Sequence, residues 1–153
     1  MPSILSFCAH AILEVQFPSC CAACGKKLLQ DEQTICSSCI ASIARTEHQV
    51  LPDNGIDMLF ETHIKKERRK IPYARGAAWA YYNRERGQVL RILVEKAKFG
   101  AHPCPEIFYQ LGCIAAQEYV DADLFDGVDY LIPVPLHPRR LRERGFNQAE
   151  YIC

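Results

Sequence analysis

Cys21, Cys24, Cys36 and Cys39 form two C-x-x-C pairs, with eleven residues between the pairs. A C-x-x-C turn presents two thiolates at an angle that suits a tetrahedral metal, and two such turns complete the sulfur shell of one zinc ion. Gly25, directly after the first pair, lets the backbone fold back beneath the metal. Four sulfur ligands leave no position open for water, so the expected Zn2+ is structural rather than catalytic. A redox pair explains one C-x-x-C but gives no reason for two. The count of nine cysteines is odd, and five of them lie between positions 20 and 39. Both facts favour reduced thiols around a metal over disulfides. Cys20 could replace Cys21 only by breaking the C-x-x-C spacing, so Cys21 is kept as the ligand. Cys8, Cys104, Cys113 and Cys153 read as ordinary small apolar residues.

A second group with chemical potential is cationic. Arg139, Arg140, Arg142 and Arg144 precede Gly145, Phe146 and Asn147. Arginine forks match phosphate oxygens. Asn147 suits an N-cap, Glu150 completes a capping box, and Phe146 and Tyr151 stand at staple positions. A helix start next to a basic loop can bind phosphate or pyrophosphate. It can equally be a plain basic loop before a well-capped helix, and residue types alone leave the two open. His137 reads as a loop residue, because no nucleophile or acid partner lies near it in sequence.

The elements that must position these groups follow from periodicity. An amphipathic helix is expected over Ser3–Val15, and a short helical stretch over Ile40–Ala44. Turn formers between Gln49 and Asp57 mark a boundary. Arg75–Tyr82, rich in small and aromatic residues, suits a strand. Arg86–Lys98 and Pro105–Tyr119 read as helices, the first with Val89, Leu90, Leu93, Val94 and Ala97 on one face, the second with Ile107, Leu111, Ile114 and Ala115. Tyr130–Val134 is an apolar run that suits a buried parallel strand ending where Pro133 and Pro135 remove donors. The basic segment Leu136–Gly145 is then the loop beyond that strand, where open α/β sheets bind ligands.

Composition limits the partners. The 153 residues carry 18 basic and 18 acidic side chains, so no global field draws nucleic acid or membrane. No stretch reaches the apolar length of a membrane span. Ala9, His10 and Ala11 imitate a signal-peptidase site, but the basic region and apolar run that should precede it are missing, so a cytoplasmic location is expected. Lys65, Lys66, Arg68, Arg69 and Lys70 form a local basic run, read either as a solvated face or as a contact for single-stranded DNA. Trp79, Tyr81 and Tyr82 would then stack on bases, or else serve as core residues of the strand.

Taken together, Pro133, Val134, Pro135, Leu136, His137 and Pro138, followed by Arg144, Gly145, Phe146, Asn147 and Gln148, closely resemble the ComF family of competence-associated phosphoribosyltransferase-like proteins. Lys98, Phe99 and Gly100 match that family's K-F/Y-x-G helix end, except that glycine follows the aromatic directly. Phe17 to Cys39 matches its zinc-ribbon segment. The resemblance implies an α/β fold class: a small N-terminal zinc ribbon in residues 1–50, then an incomplete type I phosphoribosyltransferase-like α/β domain in 51–153. It implies a ligand such as phosphoribosyl pyrophosphate, with Mg2+ in the full-length protein, and a link to DNA uptake or competence proteins. Arg139, Arg140, Arg144 and Gly145 become candidates for pyrophosphate contact. Asn147 and Gln148 would anchor the helix or the ligand, and Lys98 would face the same region. The family's D-D-x-x-T-T-G segment has no counterpart before Cys153, so the chain is expected to be a fragment without transferase activity. A zinc-ribbon module that binds single-stranded DNA or a protein, without chemistry, is the alternative.

Overall fold

A computed structural model of the chain describes residues 19–51, 54–67, 75–99 and 103–153. The expected Ser3–Val15 helix, Cys8, Gly100 and the basic residues Arg68, Arg69 and Lys70 lie outside them.

Among the described residues six helices carry the fold: α1 (Ser37–Ala41), α2 (Gly55–Lys66), α3 (Gln88–Phe99), α4 (Glu106–Asp121), α5 (Pro138–Arg144) and α6 (Gln148–Ile152). Helices α3 and α4 form where the periodicity places them. Leu93 and Ala97 of α3 are fully buried, as are Ile107, Phe108 and Leu111 of α4, so their apolar stripes face one another. Asn83 Oδ1 accepts from the amides of Arg86 and Gly87, and α3 starts at Gln88 rather than Arg86. Helix α4 packs against both α3 and α6. Gly112 is what allows the α4–α6 approach, since a Cβ there would lie 2.6 Å from the carbonyl oxygen of Ile152.

The α/β expectation is not met. Among the described residues the β features are two isolated bridges, Cys20 with Lys27 and Arg45 with Ala80. Arg75–Tyr82 is extended, but side chains rather than a ladder satisfy much of its backbone. Thr46 Oγ1 donates to the Ala78 carbonyl, Asn54 donates to the Gly76 carbonyl at 2.9 Å, and Asp57 accepts from the Gly76 amide at 2.7 Å. Tyr130–Val134 is not a buried strand either. Tyr130 and Ile132 are each 83% exposed, and no sheet flanks them among the described residues. The two prolines that end the apolar run also remove the donors a ladder needs. Among the described residues there is therefore no phosphoribosyltransferase-like sheet, and the basic segment does not follow a strand.

That basic segment is itself helical. His137 Nδ1 accepts from the Arg139 amide at 3.3 Å, Pro138 opens the first turn, and Gly145 closes α5 at φ 84° with its amide on the Leu141 carbonyl at 2.7 Å. An Arg139–Glu143 pair at 3.0 Å runs along its exposed side. Helix α1 likewise starts three residues before the expected Ile40, directly after Cys36.

One core joins these parts. Cys21, Leu28, Ile35, Cys36, Cys39 and Ile43 belong to the same buried cluster as Leu93, Ile107, Phe108 and Phe146. Polar ties reinforce the contact. Arg45 donates to both carboxylate oxygens of Glu118, lies 4.3 Å from the Trp79 ring centroid, and also donates to the Ile43 carbonyl at 2.9 Å. Trp79 Nε1 donates to Glu118 at 2.6 Å. Gln110 accepts from both the amide and the hydroxyl of Thr34.

Candidate metal centre and cationic cavity

The thiol cluster is built from two small turns. Cys21 and Cys24 lie on a tight loop in which the Cys21 amide donates to the Lys26 carbonyl at 2.8 Å and the Gly25 amide to the Cys21 carbonyl at 2.9 Å. Gly25 takes φ 74°, the left-handed conformation its position requires. Cys36 and Cys39 occupy the entry and first turn of α1. The two turns are locked together by the Ala22 amide on the Thr34 carbonyl, 2.9 Å, and by the Cys36 amide on Cys21 Sγ, 3.3 Å. Glu32 braces the second turn. Its carboxylate accepts from the amide and hydroxyl of Ser37 at 2.6 and 2.8 Å and from the Leu29 amide at 2.9 Å. Those donors, Ser37 first, hold its carboxyl below the usual range. A glutamate five residues before a helical serine carries no sequence signature, and Glu32 was not singled out by the sequence.

All four Sγ atoms lie within 4.8 Å of one another. Cys24 Sγ and Cys36 Sγ are 3.8 Å apart. Zinc–sulfur bonds of about 2.3 Å in a tetrahedron place sulfurs about 3.8 Å apart, so the spacing fits a metal and is far too long for a disulfide. Electrostatics divide the set. A hydrogen bond with the Ser38 side chain, followed by the Cys39 amide, draws the Cys36 thiol down to about 6. Burial works against Cys21, yet the amides of Cys36, Cys24 and Ala23 outweigh it and lower its pKa. Burial, more than its thiol neighbours, pushes Cys39 up. A cation at the centre would reverse that last effect, because metal binding displaces thiol protons. The four cysteines can therefore hold a metal ion.

The cationic residues are distributed as follows. Lys98 and Phe99, at the end of α3, and Arg140, Glu143 and Arg144, on α5, line one cavity of about 360 Å³. Arg144 lies 5.5 Å from the Phe99 ring centroid and donates to Gln148 Oε1 at 2.5 Å. Lys98 is half-buried. Burial first, and the nearby Arg144 charge second, lower its pKa. Arg139 does not line the cavity and pairs with Glu143. Gly145 is the turn between α5 and α6. Asn147 is 2% exposed and makes its hydrogen bonds within the protein. It accepts from the Ala149 amide at 3.2 Å and donates to the Val134 carbonyl and to Glu150, each at 3.1 Å. Phe146 packs edge-on to Tyr151, with ring centroids 5.7 Å apart. The capping residues shape the turn, and Gln148 aims Arg144.

The surfaces considered for stacking and basic contact lie elsewhere. Arg45 covers the Trp79 ring, Arg86 lies 5.4 Å from the Tyr81 ring centroid, and Lys65 pairs with Glu61 at 3.2 Å. No helix among the described residues is long and apolar enough to cross a membrane.

No family model matches the chain, and no solved structure matches it. The chain is similar to the DNA utilization protein YhgH of Escherichia coli O157:H7. The two are 30% identical over 142 residues, which cover 89% of this chain and 59% of that protein. The chain thus spans about three fifths of the length of the curated relative it matches.

Proposed function

We propose that the chain is a zinc-holding member of the ComF family that serves DNA utilisation. Its cationic cavity would take a pyrophosphate-bearing ligand of the phosphoribosyl pyrophosphate class. The observation that carries the ligand reading is the convergence of Lys98, Arg140 and Arg144, from two helices distant in sequence, on one cavity. Among the described residues of that lining the only carboxylate, Glu143, is already engaged by Arg139. The cavity thus holds a surplus of positive charge, which an anion would balance. The similarity to a protein named for DNA utilisation supports the cellular role. Four converging thiols support a structural zinc, and their need to stay reduced supports a cytoplasmic setting.

Calorimetric titration with pyrophosphate and with phosphoribosyl pyrophosphate, each with and without Mg2+, tests the ligand. Saturable binding is expected. Arg144→Gln or Lys98→Met should weaken it by roughly tenfold or more, the scale of one charge-assisted hydrogen bond. Because the Lys98 pKa lies below its ordinary value, affinity should fall as pH rises through that lowered value. An Arg144→Gln variant that binds as well as the parent removes the reading. Salt-sensitive binding of single-stranded DNA that persists in both variants would favour the alternative module.

A further inference from the structure

Two cysteines outside the metal centre share a cleft. Cys113 on α4 and Cys153 after α6 are both exposed and line the same small cavity of about 170 Å³, together with Tyr109, Gly112, Glu150 and Tyr151. The two elements approach closely at the residues just before each thiol, where a Cβ on Gly112 would lie 2.8 Å from the Ile152 Cα. Neither cysteine belongs to the four-thiol cluster.

We propose that Cys113 and Cys153 form a reversible disulfide that fastens α6 to α4 when a small peroxide is present. One thiolate attacks the peroxide oxygen, breaking the O–O bond and giving a sulfenic acid and one water. The second thiolate then attacks that sulfur, forming the S–S bond and expelling the oxygen as a second water. Two thiols lose two hydrogens and two electrons, and hydrogen peroxide is reduced to two waters. Bridging requires Cα atoms within about 7 Å, a separation that the Gly112–Ile152 contact makes accessible. Both thiols are open to solvent, so neither burial nor a coordinated metal shields them.

The test treats the zinc-loaded full chain with hydrogen peroxide and then digests it with trypsin under non-reducing conditions. The expected product is a monomer in which peptide 145–153 is joined to peptide 99–139 and released by reductant. Fragmentation should place the link on Cys113 rather than Cys104. Two free thiols should disappear, and hydrogen exchange in α6 should slow. Cys113→Ser and Cys153→Ser should each abolish the linked pair, whereas Cys104→Ser should leave it. Disulfide dimers through Cys153, a link to Cys104, or sulfinic and sulfonic products without any bridge would each overturn the proposal. Failure of pyrophosphate to bind would not touch it.

Discussion

Two buried asparagines organise the loops on either side of the helical core. Asn54 is 1% exposed, accepts from the amides of Ile56 and Asp57 at the start of α2, and donates to Asp57 and to the Gly76 carbonyl. Asn147 makes the corresponding bonds at the start of α6. Truncating Asn54 to alanine removes a cap and takes the donor from the half-buried Gly76 carbonyl. The expected cost is about 2 kcal/mol in chemical denaturation, with Asn54→Ser falling between. Asn147 was legible as a cap because the sequence around it carries the full cap, box and staple signature. Asn54 was legible only as a turn former, since its tie to Gly76 spans 22 residues. The convergence of Cys21, Cys24, Cys36 and Cys39 was legible for the opposite reason: their geometry is set by local spacing.

The elements show where periodicity suffices and where it fails. Helices α3 and α4 were readable because each buries one stripe, and burial is what periodicity encodes. The two expected strands were not, because a strand is defined by neighbours. Tyr130–Val134 has the apolar composition of a buried strand but lies exposed. Helix α5 was missed because its start depends on a histidine cap and its end on Gly145, weak signals beside a run of arginines. Packing between elements depends on Gly112. Gly112→Ala would place a methyl against the Ile152 backbone and is expected to destabilise the protein by about 1–3 kcal/mol. Thermal melts check the stability. Hydrogen exchange should locate the damage in α6, and pyrophosphate affinity should drop with it, because Gln148 of α6 holds Arg144. Unchanged α6 protection would show that the contact yields without strain.

At the scale of the molecule, the four-thiol cluster is not an appendage. Three of its cysteines, Cys21, Cys36 and Cys39, are part of the buried cluster that contains Leu93 and Ile107. Arg45, Glu118 and Trp79 tie the same region to α4. Purified protein should contain one zinc per chain, measured by elemental analysis. Cys24→Ser should lower zinc affinity markedly and lower the melting temperature of the whole chain, not only of its first turns. Two separate transitions, with the helices melting unchanged after zinc removal, would show that the core is divided.

Through that shared core, a metal held by the four cysteines would govern the lifetime of the protein. Any ligand that binds the folded state alone stabilises it by mass action, by about 4 kcal/mol at a thousandfold excess over its dissociation constant. On withdrawal of such a metal, the free energy lost would belong to α3 and α4 as much as to the cysteine loops. Steady-state abundance should therefore follow cellular zinc supply, with proteases removing the chain as the metal is withdrawn.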